Sequence, residues 1–106
     1  MVSQPHETFI AGFYPVGFNA YVFAIWYAQS NTTLVWMANR DNPVNGWESS
    51  LTLRKDGNLV LTDADKTLVW ESKSGKSDNV AQLVLWDMGN LVLIAKNGNV
   101  VWQSFQ

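Results

Sequence analysis

The stretch that decides the fold is Leu51-Thr52-Leu53-Arg54-Lys55-Asp56-Gly57-Asn58-Leu59-Val60-Leu61. It aligns without a gap on Leu83-Val84-Leu85-Trp86-Asp87-Met88-Gly89-Asn90-Leu91-Val92-Leu93, at an offset of 32 residues. The same offset carries residues 68–72 (Leu-Val-Trp-Glu-Ser) onto residues 100–104 (Val-Val-Trp-Gln-Ser). Two matches at one offset indicate an internal repeat. In each copy apolar residues alternate and Gly-Asn precedes Leu-Val-Leu, which is typical of short strands joined by turns.

A third and looser copy lies upstream. Leu34-Val35-Trp36-Met37-Ala38 matches the Val-Trp ends of the other two copies, and residues 17–23 (Gly-Phe-Asn-Ala-Tyr-Val-Phe) stand where the Gly-Asn turn should begin. Asn19 precedes Trp36 by 17 residues, against 12 in the later copies, so we expect an insertion around residues 29–33. The pseudo-repeats, named units one, two and three, then cover approximately residues 9–40, 48–76 and 80–106.

These repeats predict an all-β fold, because no segment keeps a helical period. Three similar units of about four strands each imply three small antiparallel sheets closed around a pseudo-threefold axis. The 106 residues are enough for one domain and too short for two ordinary ones.

The composition excludes several classes of function. With 47% hydrophobic and 15% charged residues the chain is globular rather than disordered. Its net charge of −2 and scattered basic residues give no footprint for nucleic acid or an anionic membrane. Without cysteine there are no disulfides and no zinc–thiolate sites, and we expect neither metal nor cofactor. No apolar run reaches the length of a membrane span, and residues 1–7 lack the features of a signal peptide.

The tryptophans divide into two groups. Trp36, Trp70 and Trp102 recur with the repeat, so we expect them in the structural core near the pseudo-axis rather than in a sugar-stacking platform. Trp86 does not recur, because the equivalent position of unit two is Arg54. Its side chain is therefore a candidate for exposure and for contact with a ligand or partner. The pattern does not place Trp26 or Trp47.

The chain resembles the bulb-type (monocot mannose-binding) lectin domain, through its Gly-Asn-Leu-Val-Leu and Val-Trp signatures. Residues 35–44 (Val-Trp-Met-Ala-Asn-Arg-Asp-Asn-Pro-Val) and 101–105 (Val-Trp-Gln-Ser-Phe) are similar to the branch found in plant S-domain (G-type lectin) receptor-like kinases. The resemblance implies a β-prism II fold. It also implies a fragment of a receptor ectodomain on the extracellular side of the plasma membrane, with a secreted lectin as the alternative. A Ser/Thr kinase would belong to the parent receptor and not to this chain.

The family's sugar motif, Gln-x-Asp-x-Asn-x-Val-x-Tyr, falls on five positions of unit two. The resemblance therefore makes this row the candidate carbohydrate-binding site: Arg54, Asp56, Asn58, Val60 and Thr62. On a strand, residues two apart share a face, so such a row can offer paired donors and acceptors to sugar hydroxyls. Asp, Asn and Val are kept, but Arg54 replaces Gln and donates only, and Thr62 is shorter than Tyr. Arg54 could also pair with Asp56.

The other two units keep less of the motif. Unit three has Trp86, Met88, Asn90, Val92 and Ile94 at these positions, and unit one, anchored on Asn19, has Pro15, Gly17, Asn19, Tyr21 and Phe23. At most one altered site therefore survives. The alternative for Asp56 and Asn58 is turn chemistry, in which their side chains cap backbone groups.

Other chemistry finds little support in the sequence. The one histidine, His6, lies near an end expected to be mobile, so it is a poor member of a catalytic triad. Asp63 and Asp65 resemble part of a calcium loop but lack its later ligands, which favours turn solvation. Asn31-Thr32-Thr33 is an N-glycosylation sequon in an expected loop, making Asn31 a glycosylation candidate.

Two functions remain open. The first is a non-enzymatic carbohydrate-recognition domain that binds mannose-type glycans at unit two. The second is a lectin-shaped module with degenerate sugar sites that binds a protein ligand or forms a homodimer, for instance through Trp86, Met88 and Ile94. The C-terminal Ser104-Phe105-Gln106 either completes its own unit or exchanges onto a partner.

Overall fold

The structure is a computed structural model that describes residues 1–45, 48–74 and 80–105, with residues 80 and 81 described through their backbone alone. It contains nine strands. They are β1 (Phe9–Gly17), β2 (Ala20–Tyr27), β3 (Ser30–Met37), β4 (Ser50–Leu53), β5 (Leu59–Thr62), β6 (Leu68–Glu71), β7 (Val80–Leu85), β8 (Leu91–Ala95) and β9 (Val100–Gln103). No helix occurs in these ranges, which confirms the all-β class. Trp47 and Gln106 lie outside the described residues.

The strands form three antiparallel sheets, ordered β1-β2-β3, β4-β5-β6 and β7-β8-β9. The expectation of four strands per sheet is wrong, because the described residues place three in each. Segments that could add a fourth strand pair only at isolated bridges, Val2 with Ile10 and Val44 with Tyr21. Pro5 and Pro43 adjoin these segments, and proline lacks the N–H that a longer ladder requires.

The register superimposes the three sheets on one another. Ile25, Leu61 and Leu93 lie at the centre of the middle strands and pair with Trp36, Trp70 and Trp102 respectively. All three aliphatic residues are fully buried. The repeat in the sequence is therefore a repeat of strand pairs in space.

The three repeated tryptophans lie together beside the core. Their ring centroids are 5.8 Å (Trp36–Trp70), 6.0 Å (Trp36–Trp102) and 5.6 Å (Trp70–Trp102) apart, and every pair is edge-to-face. Edge-to-face pairs contribute about 0.5–1.5 kcal/mol each beyond the burial of area. The near-equal distances place one ring from each sheet around a common axis.

The N-terminal segment, residues 1–8, is fixed to the sheets, in contrast to the mobile end expected from the sequence. Ser3 is fully buried, and its hydroxyl accepts a hydrogen bond from the Phe9 amide and donates one to Asp87. The backbone of Gln4 bonds to that of Leu85. The segment thus connects the first sheet to the third.

Candidate carbohydrate-binding site

The five candidate residues of unit two do not lie on one strand. Arg54, Asp56 and Asn58 lie in the turn between β4 and β5, whereas Val60 and Thr62 lie on β5. The turn is closed by a hydrogen bond from the Arg54 amide to the Asn58 carbonyl and contains Gly57 at φ 90°. This φ lies in the left-handed region that glycine adopts without strain, so Gly57 sets the turn. The strand periodicity assumed for the row applies only to its last two members.

Asn58 supports the turn rather than projecting from it. Its side chain is 8% exposed, and its amide nitrogen donates to Oε1 of Glu71 at 2.9 Å. Its side-chain oxygen accepts from the Ser72 hydroxyl at 3.2 Å and the Ser74 amide at 3.3 Å. These bonds use both acceptor positions of the side-chain oxygen and one of the two donors of the amide. Among the described residues, the second N–H of this amide has no partner.

The remaining members of the row differ in how available they are. Asp56 is exposed, and its Oδ1 accepts a hydrogen bond from the Asn58 amide at 2.9 Å, a local cap typical of aspartate in turns. Val60 is buried, and Thr62 shares a 3.0 Å hydrogen bond with Ser50 across the strand pair. The turn hydrogen bonds considered for Asp56 and Asn58 are thus present. The second carboxylate oxygen of Asp56 accepts no hydrogen bond from the residues that the structure describes.

A shallow depression of about 520 Å³ borders this turn. Its lining residues are Thr52, Leu53, Arg54, Lys55 and Asp56. In the ranges that the structure describes, no ion pair joins Arg54 to Asp56, so the guanidinium stays available as a donor. The turn therefore presents two exposed cations and one carboxylate oxygen around an open surface.

Glu71 was not anticipated from the sequence. It lies on β6 opposite Val60, binds Asn58, and borders a second depression of about 480 Å³ with Leu68, Val69, Trp70 and Lys73. The repeat itself carried the signal, because Glu71 and Gln103 occupy equivalent positions and each accepts from the asparagine of its own unit. Glu71 adds a carboxylate beside the candidate row.

Unit three reproduces the framework of the turn but not its polar surface. Asn90 donates to Gln103 at 2.8 Å and accepts from the Ser104 hydroxyl and the Phe105 amide, and Gly89 has φ 85°. Residues 104 and 105 therefore bond to the asparagine of their own unit. At the other motif positions stand Trp86, Met88, Val92 and Ile94, so this unit offers no row of polar groups.

Unit one requires a correction to its alignment. Phe23 donates its amide to Asn39 just as Leu59 and Leu91 donate theirs to Ser72 and Ser104. The residue equivalent to Asn58 is consequently Val22 and not Asn19, which lies in the β1–β2 turn with φ 50°. Of the five extra residues, two fall in the longer β2–β3 hairpin. The other three fall between Asn19 and Val22. With a valine at the anchor, unit one has no site of this kind.

Trp86 is half-buried rather than freely exposed. Its backbone pairs with Gln4, and the neighbouring Asp87 accepts from the Ser3 hydroxyl and the His6 amide, both at 2.6 Å. Burial alone would raise the pKa of Asp87, but hydrogen bonds from Ser3, His6 and Thr8 outweigh it and lower that pKa below its ordinary value. The N-terminal segment thus bonds to the unit-three turn that corresponds to the candidate site, while Met88 in that turn stays 63% exposed.

Two further predicted features lie on the surface. Asn31 is exposed, but it lies on β3, because the polar stretch expected to be a loop is mostly strand. Asp63 accepts from the amides of Asn45 and Ala64, and Asp65 from that of Thr67. The Thr67 hydrogen bonds lower the pKa of Asp65. These aspartates take part in turn hydrogen bonding.

Comparison with solved structures defines the class of fold. The chain superimposes on a monomeric monocot mannose-binding lectin from Gastrodia elata with a TM-score of 0.64 at 18% identity, over 98% of this chain and 94% of that one. It superimposes on the Japanese Marasmius oreades lectin with a TM-score of 0.60 at 23% identity, over 99% and 96%. The three-sheet architecture is therefore the β-prism II fold of the bulb-type lectins.

The family follows from the sequence. The profile of the D-mannose binding lectin family matches residues 33–106, and the chain belongs to this family. It is 47% identical over 104 residues to a Zea mays chain named receptor protein kinase ZmPK1, covering 92% of this chain and 13% of that one. It is 36% identical over 104 residues to a G-type lectin S-receptor-like serine/threonine-protein kinase of Arabidopsis thaliana, covering 90% and 13%.

The chain spans about 13% of the length of these curated relatives. It is a lectin domain similar to those of plant receptor-like kinases, and the kinase parts of the relatives lie outside the matched region. Within the described ranges, no helix is both long and apolar enough to span a bilayer.

Proposed function

We propose that the chain is a non-enzymatic carbohydrate-recognition domain that binds mannose-type glycans at unit two. It would serve the ectodomain of a plant receptor-like kinase on the extracellular side of the plasma membrane, with a Ser/Thr kinase elsewhere in the parent chain. Family membership and the relatives support this proposal. The observation that carries it is the contrast between units, because unit two combines the family's Asp-x-Asn-x-Val with exposed polar groups.

The proposed contacts follow from the hydrogen-bond donors and acceptors of the turn that have no partner among the described residues. Arg54 donates to sugar oxygens, and the second oxygen of Asp56 accepts from a sugar hydroxyl. Asn58 contributes its remaining N–H, and Val60 and Thr62 form the β5 side of the site. Glu71 extends the acceptor set by one carboxylate. A sugar with adjacent hydroxyls can satisfy these donors and acceptors in pairs.

Binding is expected to be weak. Two of the five motif positions are substituted, and most of the Asn58 amide is used within the protein. Each hydrogen bond contributes only about 0.5–1.5 kcal/mol net, so a site with few free groups gives dissociation constants on the order of millimolar.

The test is calorimetric titration with mannose and with a high-mannose oligosaccharide. Asn58→Ala is the loss-of-binding variant, and Asn90→Ala is its matched control because both remove the same framework hydrogen bonds. We expect heat for the unaltered chain and for Asn90→Ala, and none for Asn58→Ala. If the folded, unaltered chain gives no heat with either sugar, the proposal is wrong.

A second candidate is the lectin-shaped interaction module, acting through a protein ligand or a homodimer. The internal use of Asn58 favours it, as does the 63% exposure of Met88 near the half-buried Trp86 and Ile94. Sedimentation of the unaltered chain and of Met88→Lys separates the cases. A dimer that dissociates in the variant supports this candidate, and a monomer at all concentrations contradicts the homodimer.

A further inference from the structure

A depression of about 290 Å³ lies far along the chain from the sugar motif, between the N-terminal segment and the end of β2. Its lining residues are His6, Glu7, Thr8, Tyr27 and Gln29. The volume is at the low end for small-ligand clefts, which suits one sugar ring rather than a long oligosaccharide. None of these residues belongs to the motif row of any unit.

The frame around this depression is fixed. The Thr8 carbonyl accepts from the Ala28 amide, and the Phe9 and Tyr27 rings pack with centroids 4.8 Å apart. Asp87, in the β7–β8 turn, accepts from the His6 amide at 2.6 Å and so holds the N-terminal segment in place. A preformed frame lowers the ordering cost of binding.

The lining combines one aromatic ring with several unpaired polar groups. Tyr27 is 39% exposed, so part of its ring remains open although Phe9 packs against it. In the portion of the chain described by the structure, the side chains of Glu7, Thr8 and Gln29 make no hydrogen bond or ion pair. An aromatic surface suits the apolar C–H face of a sugar ring, and a carboxylate, a hydroxyl and an amide suit its hydroxyls.

Glu7 adds a conformational observation. It has φ 57°, in the left-handed region that a residue other than glycine adopts only with strain. Strained residues are frequent at ligand sites, where the gain lies in how the residue is placed. Glycine would adopt this φ without strain. The chain has a glutamate there instead, and this glutamate lines the depression.

We infer that this depression is a second carbohydrate site, which takes a single hexose residue with its C–H face toward Tyr27 and its hydroxyls toward Glu7, Thr8 and Gln29. The inference does not depend on the unit-two site, because the two share no residue. With both sites occupied, one domain would contact a branched glycan at two points, which raises apparent affinity when the sites can be spanned together.

The test is a ¹H–¹⁵N NMR titration of the 106-residue chain with methyl α-mannoside, glucose, galactose and N-acetylglucosamine as separate probes. We expect at least one probe to shift the backbone amides of Thr8 and Ala28 and the side-chain amide of Gln29. Glu7→Gly is the informative variant because glycine suits φ 57°, so the fold is kept while the carboxylate is lost. Losing one hydrogen bond of about 1 kcal/mol weakens binding roughly fivefold.

Gln29→Ala is a second variant at a position outside the core, and Asn58→Ala is the control for unit two. The inference holds if both depression variants weaken these shifts and Asn58→Ala leaves them unchanged. It is overturned if no probe shifts the Thr8, Ala28 and Gln29 signals, or if Glu7→Gly and Gln29→Ala, both folded, bind as the unaltered chain does. Shifts restricted to the β4–β5 turn would overturn it while supporting the unit-two proposal.

Discussion

The β4–β5 turn of unit two and the β7–β8 turn of unit three share one framework and differ in their contacts with the N-terminal segment. In both, a glycine with positive φ precedes a buried asparagine that bonds to the last strand of its own sheet. The N-terminal segment donates two hydrogen bonds to Asp87 of the unit-three turn, whereas its equivalent in unit two, Lys55, is an exposed cation. The buried asparagine therefore has the same framework role in both units, and the two turns differ in the residues around it.

The largest expected effect concerns the buried core. We expect the core residues of units two and three to contribute equally to the free energy of unfolding. Leu61 and Leu93 are both fully buried and pair with Trp70 and Trp102. Leu61→Ala and Leu93→Ala should each lower the free energy of unfolding by about 2–5 kcal/mol, through lost burial and the cavity that remains. Urea denaturation measures both values. A large effect in one unit and almost none in the other would contradict a shared core.

Ser3→Ala should separate the two units, because it removes a hydrogen bond to Asp87 that Lys55, at the equivalent position of unit two, cannot accept. The buried hydroxyl accepts from Phe9 and donates to Asp87, and its loss leaves the Phe9 amide unpaired. We expect a loss of about 1–3 kcal/mol in unfolding free energy. Lys55→Ala is the control, since Lys55 is the exposed residue at the unit-two position equivalent to Asp87. Equal effects in the two variants would argue against an anchored N-terminal segment.

The pH dependence of stability gives a smaller effect. The folded-state pKa of Asp87 is lowered, so the carboxylate stabilises the fold above its unfolded pKa of about 3.9. That contribution is lost as pH falls from there through the lowered folded value. Asp87→Asn should therefore lose less stability than the unaltered chain as the pH falls through this range. Thermal unfolding at several pH values measures the difference. Identical acid profiles for the variant and the unaltered chain would rule out this role for Asp87.

Much of the fold was predictable because the repeat is local and its periodicity is strong. Gly57-Asn58 and Gly89-Asn90, followed by Leu-Val-Leu, predicted turns and strands that the structure confirms. The alignment of unit one was wrong because Val22 has replaced the asparagine, which drew the alignment to Asn19 in a neighbouring turn. The number of strands per sheet was wrong because isolated bridges such as Val2–Ile10 leave no periodic signal.

The candidate site was less predictable than the fold. A motif specifies which residue types occur at which spacing. It does not specify the hydrogen-bond partners of a side chain, such as the bond from Asn58 to Glu71. The Ser3–Asp87 hydrogen bond joins residues 84 positions apart, so no local pattern predicts the contact between the N-terminal segment and unit three.

The most direct test of the account restores the two substituted motif positions of unit two. In the double variant Arg54→Gln and Thr62→Tyr, calorimetric titration with mannose should show binding about tenfold tighter, since Gln both donates and accepts and the Tyr hydroxyl reaches further than that of Thr. The matched control, Trp86→Gln with Ile94→Tyr, keeps Met88 in place of the aspartate and should gain nothing. If the unit-two variant is folded and binds mannose no better than the unaltered chain, unit two is not the sugar site.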